Sequence, residues 1–567
     1  MKTAWTTQQT GSARLATARL ATAFLAAAGL AAAGLAATGL ACAASPAAPL
    51  PPTRPEATHC QETSRYEDVM SYLRAAVAAN PQLKLTTYGY TTEGRALPLV
   101  VVGAPDATPA AVLQTGKVRI FLQANIHAGE VEGKEAMLWL LRDLAGGAHA
   151  EWFKDVVLLI APIYNADGNE RVDVRNRGPQ YGPEGGMGQR HNAQDLDLNR
   201  DCTKLETAEA RSMARLLCQY DPQVCVDMHT TDGSDHGYYL TYEAPGNPST
   251  AAGVVALARQ ELLPAVTSAV KAKHGWNLFY YGGPSDRPER GWYADADLYK
   301  LRYHHNYFGI RNRIGILSEA YSYATFEDRI KATLWFVEEI VSWVAAHADQ
   351  VRATCANADA EVIIGREHAV RGTLERTADA VDIVLADTQR VRNPYVPDSP
   401  MRVRVDSSQR VERMPYFGTI KATETSKVPA AYVIPAATGE GSAPTRRMLA
   451  SVKDRLESHG VRFTVTDAPR IMAVERFQIK SNTLDAQPYR GGGEHRLRTL
   501  TGEWHNAQVE VPAGSLIIPM NQPLARLAFV LLDPRSDDGF MAWNILDPVL
   551  GATPGPEQYP VLRTMAP

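Results

Sequence analysis

Between about residues 63 and 350 the chain alternates short apolar runs with longer stretches that are apolar on one side only. Val118–Ala124, Val156–Ala161, Val224–Met228 and Ile314–Leu317 are short, often β-branched and bounded by polar or turn residues. Each predicts a buried strand. Between them, Met137, Leu140, Leu141 and Leu144 recur at helical spacing and stop at Gly146-Gly147. Leu334, Val337, Ile340, Val341 and Val344 mark the inward face of a second helix. Strands alternating with helices predict an α/β fold, a mixed, largely parallel sheet flanked by helices.

Beyond about residue 360 the rhythm changes. Met401–Val405, Ala430–Ile434, Val461–Val465 and Ser515–Ile518 predict strands separated by Pro, Gly and Asp turns. In the first, Met401, Val403 and Val405 alternate with Arg402 and Arg404, the period of a half-buried strand. One helix is expected from about Thr445 to His459, with Gly460 as its stop. Residues 360–567 therefore read as a β-rich C-terminal domain of open role, with no catalytic constellation and no internal repeat. Trp543 is expected to close its core. Gly491-Gly492-Gly493 lacks phosphate-loop context and reads as a flexible loop.

The start of the chain is different again. Lys2, Arg14 and Arg19 precede an Ala/Leu stretch that ends in Ala41-Cys42-Ala43-Ala44. Residues 1–44 have the shape of a secretory signal peptide, and 45–62 form a Pro/Ala linker. Cys42 offers lipidation as a second route, so the mature protein is expected to be periplasmic or extracellular, either free or lipid-anchored. No later stretch is apolar enough to cross a membrane. Hydrophobic residues make up 45 % of the chain and charged residues 21 %, the balance of a globular protein of two or three domains, and residues 63–355 form the first. A net charge of −4 with scattered basic residues argues against nucleic acid or an anionic membrane as a partner. Export permits disulfides, and Cys60 and Cys355 are placed to tie the ends of the first domain. No C-x-x-C pair suggests cysteine-bound zinc.

The chemistry gathers at strand ends. A catalytic zinc needs three protein ligands and one open position. A His and a Glu three apart share a side of a turn or helix, so both can reach one ion. The chain holds two such pairs, His59-x-x-Glu62 and His127-x-x-Glu130. His59 follows a Pro-rich linker with no strand before it and reads as solvated. His127 follows the strand Val118–Ala124 directly, and Glu130 is expected to open a helix. His229 and Glu319 also end apolar strands. Three strands thus deliver His and Glu to one sheet edge, where ligands bind in open α/β sheets. Uncompensated buried charge costs several kcal/mol, so a metal site accounts for the coincidence economically. The alternative for Glu319 is an ion pair with Arg311 or Arg313. The polar stretch Arg190-His191-Asn192-Ala193-Gln194-Asp195-Leu196-Asp197-Leu198-Asn199-Arg200-Asp201 suits an anion, because arginine binds carboxylates through two parallel hydrogen bonds. His304-His305 reads as polar surface or pocket lining, since adjacent side chains diverge.

Taken together, these motifs resemble the zinc carboxypeptidase family, the relatives of carboxypeptidases A, B and D. They stand here as Glu93-Gly94-Arg95, His127-Ala128-Gly129-Glu130, Asn165-Ala166-Asp167-Gly168, Arg190 through Arg200, Asp227-Met228-His229 and Leu317-Ser318-Glu319. Their order agrees with the family's over roughly residues 63 to 350. The resemblance implies one zinc per chain on His127, Glu130 and His229, with Glu319 as general base and acid. It implies that Arg190 steadies the oxyanion, that Asn199 and Arg200 grip the substrate's terminal carboxylate, and that Asp197 orients the first histidine. It thus implies a protease that removes residues from the free end of a peptide or protein substrate. The family's substrate-side tyrosine has four candidates here: Tyr280, Tyr281, Tyr303 and Tyr307. Ala166 stands where the family usually has Pro, and the C-terminal domain does not match the β-sandwich of the D-type branch. Two rivals remain at this level: a peptidoglycan stem-peptide hydrolase or N-acyl amino acid amidohydrolase on the same scaffold, and a non-catalytic binding module.

Overall fold

Val118, Ile120, Leu122 and Ala124 face one apolar cluster and Phe121 faces another, so the strand that carries them is buried on both sides. That is why it reads as a largely apolar run, interrupted only by Arg119 and Gln123. The computed structural model describes residues 50–437, 442–551 and 557–565. The signal-like segment and Cys42 lie outside the described residues. Eight strands form the main sheet: β1 Leu83–Tyr90, β2 Ala96–Val102, β3 Val118–Ala124, β4 Val156–Ala161, β5 Val224–Thr230, β6 Leu240–Glu243, β7 Leu278–Tyr280 and, after two short strands β8 Gly283–Ser285 and β9 Gly291–Tyr293, β10 Ile314–Ala320. Their order is β1-β2-β4-β3-β5-β10-β6-β7. The central four, β4, β3, β5 and β10, run parallel, and antiparallel pairing enters at β2 and β6. The mixed, largely parallel sheet read from the sequence is the sheet observed. The helices Glu132–Ala145 and Phe326–Ala346 cover one face through the residues at helical spacing, Met137, Leu141, Val337 and Val341 among them.

The register sets the site. β5 and β10 pair so that Glu319 lies opposite His229, and β3 pairs with β5 so that Ala124 lies opposite Met228. The carboxyl ends of three neighbouring parallel strands therefore open on one spot, the crevice in which such sheets bind ligands.

The rest of the chain is β-rich. β11 Glu367–Leu385 and β14 Arg410–Lys427 form a long antiparallel hairpin, and β14 continues onto β9 and β8. β12 Thr388–Val391 pairs with β13 Met401–Arg404. The last sheet runs β16-β19-β15-β20-β17-β18, with β15 Ala431–Ile434, β16 Thr464–Val465, β17 Arg470–Leu484, β18 Arg498–Val511, β19 Leu516–Pro519 and β20 Leu562–Thr564. The strand expected at Val461–Val465 shrinks to its last two residues. Gly460 ends the helix Ala443–His459 at φ +76°, and Arg462 then bonds Gln522 instead of a neighbouring strand.

This part does not stand apart from the first. Ala48–Pro567 is one compact unit. A single apolar cluster joins Phe121, Tyr164, Leu198 and Phe308 to Tyr432, Met448, Phe529 and Trp543. Tyr307 hydroxyl meets His459 Nδ1 at 2.8 Å, and Arg302 pairs with Asp538 at 2.9 Å. Cys60 and Cys355 are free thiols, so the bridge read from the sequence is absent; the Cys355 thiol donates to the Gln223 carbonyl instead.

Candidate metal centre and active site

β3 ends at Ala124, and Asn125 takes a left-handed φ of +65° that turns the chain into His127. The backbone amide of Glu130 donates to the His127 carbonyl at 2.9 Å, so the two side chains share a tight turn. The helix expected to open at Glu130 begins at Glu132 instead, because that turn uses the Glu130 amide. A second loop braces the turn. The Asn165 side-chain amide donates to the carbonyls of Ile126 and Arg190, and Asp167 pairs with Arg95 at 2.7 Å. The motifs that were separate in sequence are one bonded scaffold.

On that scaffold His127, Glu130 and His229 each offer a ligand atom, all within 4.8 Å of one another. The Nδ1 atoms of both histidines face Glu130, each 2.9 Å from one of its carboxylate oxygens. The Nε2 atoms point away, to Asp197 at 3.0 Å and Asp227 at 2.8 Å. Each ring is thus held from behind by a carboxylate, the arrangement that fixes tautomer and orientation in metal sites. Two imidazoles and a carboxylate are a zinc-type donor set. These residues fit the metal.

Electrostatics agree. Burial alone would raise the Glu130 carboxyl, but the His127 ring, the Arg177 guanidinium and hydrogen bonds from both imidazoles hold it well below the usual range. Burial likewise opposes ionisation of Asp197, and His127 and Arg190 overcome it. Asp227 is treated the same way by His229 and His304 and falls to about 2. Glu319 is the exception. Burial, with Glu130 and Asp232 nearby and only His229 and Arg177 in opposition, pushes it up to about 8. One of its carboxylate oxygens is buried with no hydrogen-bond partner. It does not pair with Arg311 or Arg313: Arg313 binds Asp221 and Asp359, and Arg311 donates to the His459 carbonyl.

The remaining site residues read from the sequence meet here as well. Glu319, Asn199, Arg200 and Arg190 line the same cavity as the three candidate ligands, a space of about 110 Å³. Arg190 reaches Asp197 at 2.9 Å and Glu130 at 3.7 Å. Asp197 also caps the short 3-10 turn Leu198–Arg200 by accepting from the Asn199 amide, which presents both residues to the cavity. The guanidinium of Arg200 lies over the Tyr303 ring at 4.6 Å, and its Nε is buried without a partner. Of the four candidate tyrosines, Tyr281 and Tyr303 line the cavity. Tyr280 instead donates to the Arg259 carbonyl, and Tyr307 is buried against His459.

Several features were read differently from the sequence. His304 and His305 are both buried, so neither is surface: His304 Nδ1 accepts from Gln123, which in turn donates to Asp227, and His305 lines the cavity. Trp543 is buried, but its ring lies under Lys204 and Arg302, both more than 200 residues earlier in the chain. The glycine loop is packed rather than free: the Gly491 carbonyl accepts from the Asp197 amide at 3.1 Å. Arg177 stands in no sequence motif, yet it pairs with Glu130 at 2.9 Å. Only its place in the folded structure reveals it.

Comparison with known proteins bears on these residues. Residues 69–229 match the zinc carboxypeptidase family. The chain is 25 % identical to Carboxypeptidase 2 of Trichophyton tonsurans over 92 % of its own length and 90 % of that protein's. It is 34 % identical to rat Carboxypeptidase D over 147 residues, 23 % of this chain and 11 % of that protein. Among solved structures, a metallo-carboxypeptidase from Burkholderia cenocepacia aligns with a TM-score of 0.38 at 18 % identity, covering 50 % of this chain and 70 % of that one. Residues 69–229 are thus similar to the zinc carboxypeptidases, and the three candidate ligands all lie within that segment. The matched segment ends at His229, so the case for Glu319 rests on geometry.

Proposed function

We propose that this protein is an exported enzyme that hydrolyses the last peptide bond of substrates with a free carboxyl end. His127, Glu130 and His229 would hold the zinc. Zinc, when bound, supplies Lewis acidity: it acidifies water and polarises a carbonyl. Glu319 takes a proton from the attacking water and returns it to the leaving amine. A carboxyl that burial has raised above its usual range can do both. Arg190 donates to the oxygen on which negative charge develops, a contribution of about 3–4 kcal/mol for a well-placed donor. Asn199 and Arg200 hold the terminal carboxylate, so that only the last bond reaches the reacting groups. Asp197 and Asp227 keep the two imidazoles in place. The signal-like residues 1–44 support export, and among the described residues no helix is long and apolar enough to cross a membrane.

One observation carries most of this reading. The cavity beside the His/Glu/His cluster is lined by Arg200, with a buried unpartnered Nε, and by Glu319, with a buried unpartnered oxygen. Leaving such atoms unpaired costs ~1–3 kcal/mol or more each, so a bound partner is expected. A substrate carboxylate satisfies the first and a water the second.

The test is mass spectrometry of a peptide offered with a free and with an amidated end, with and without chelator. The free peptide should lose one residue from its carboxyl end, and chelator should stop it. Arg200→Ala should lower kcat/KM for the free peptide roughly a hundredfold, the value of a charge-assisted interaction of about 3 kcal/mol. Equal rates on free and amidated peptides would show that the end is not recognised.

A further inference from the structure

The cavity at the metal cluster has an outer chamber. It is about 390 Å³ and shares Arg190, Arg200 and Asp232 with the inner one. Arg200 borders both chambers, so a peptide whose end is held there would lie against the outer one. Most of its wall comes from the first half of the chain, but Tyr489 and Arg490 come from the loop between β17 and β18, about 290 residues further on.

That loop is fixed in place. The Gly491 carbonyl accepts from the Asp197 amide, and a Cβ at Gly491, where φ is +77°, would meet the Asp197 Cβ at 2.7 Å. His495 Nε2 lies 2.8 Å from Glu206. The Tyr489 ring sits under the Arg302 guanidinium at 4.4 Å and edge-on to Trp543. The loop thus rests on the turn that carries Asn199 and Arg200.

The chamber's charges are unequal in availability. Arg177 is occupied by Glu130 and by the carbonyls of Thr230 and Thr231. Arg190 spends Nε and Nη2 on Asp197, and its Nη1 faces Glu130 in the inner cavity. Asp232, the exposed acid of the wall, lies 3.4 Å from Arg177. Arg490 is exposed and, among the described residues, makes no hydrogen bond or ion pair, so its guanidinium is free to bind an incoming anion.

We propose that the C-terminal region completes the substrate cleft through this loop, and that Arg490 selects peptides with acidic side chains just upstream of the terminal residue. This rests on the carboxypeptidase reading above. A planar guanidinium recognises a carboxylate through paired hydrogen bonds, and at a partly solvated wall the gain is modest.

Three peptides with the same free terminal residue test it, carrying Asp-Asp, Ala-Ala or Lys-Lys at the two preceding positions. The readout is the ratio of kcat/KM for the Asp-Asp and Lys-Lys peptides. The wild-type ratio should be about tenfold and should shrink as salt rises. Arg490→Ala should bring it close to one, and Arg490→Glu should invert it. A wild-type ratio near or below one, or a ratio unchanged in Arg490→Ala, overturns the proposal while leaving the carboxypeptidase reading intact. If the wild-type enzyme shortens none of the three peptides, including Ala-Ala, that reading falls and this one with it.

Discussion

Glu319→Gln should lower kcat by about 10²–10⁴-fold, the range for removing a positioned general base. Glutamine has nearly the same shape but does not accept the proton from water at neutral pH. The substitution removes a carboxyl that burial already disfavours in its charged form. It should therefore leave the fold intact and the zinc content at one per chain. Both are measurable, by steady-state kinetics and by atomic absorption on the dialysed protein. A variant with near-normal kcat would remove Glu319 from the chemistry. Loss of zinc along with activity would give it a different role, as a ligand or as a support for one.

His229→Ala should have the opposite signature. Activity and metal should disappear together. His229 is buried between Glu130 and Asp227, and its ring is the partner of both. Without it, Asp227 keeps only Gln123 within hydrogen-bond distance, a buried carboxylate without its charged partner. Breaking a buried charged pair in this way typically costs about 3–5 kcal/mol. Zinc content should fall to near zero after dialysis, and thermal unfolding of the metal-free protein should shift down relative to metal-free wild type. Full zinc occupancy in this variant would show that the ion is held elsewhere.

The parts of this fold that could be read from the chain are those where burial is two-sided or strictly periodic. β4 is an unbroken apolar run and β3 is broken only by Arg119 and Gln123, so both strands are legible to the residue, as expected where both faces are buried. His127, His229 and Glu319 were legible for the same reason: charge at the end of such a run is conspicuous. The long hairpin of β11 and β14 was not. Its pairing shifts register five times, so the two-residue alternation that marks a strand is broken before it can be recognised. β17 and β18 are exposed or half-buried over most of their length and leave little apolar trace.

The same contrast holds within the site. Asp197 stands in a local motif seven residues from Arg190. Arg177 stands in no pattern, 47 residues from the Glu130 it contacts. The glycine loop looked flexible because glycine permits many conformations. Its real constraint is steric and distant, the close approach of Gly491 to Asp197. The pattern of residues 360–567 gives a β-rich C-terminal domain of open role, and such distant contacts leave no trace in it. They are visible only once the helix Ala443–His459 and Trp543 are seen packed against the first half of the chain.

All of these roles depend on His127 Nδ1, the Glu130 carboxylate and His229 Nδ1 closing on a single ion. Anomalous X-ray scattering from crystals of the zinc-loaded protein, recorded on both sides of the zinc absorption edge, measures this directly. One peak should appear, about 2.0–2.2 Å from those three donors. A peak bound by another set of side chains, or lying out of reach of His229, would contradict the account.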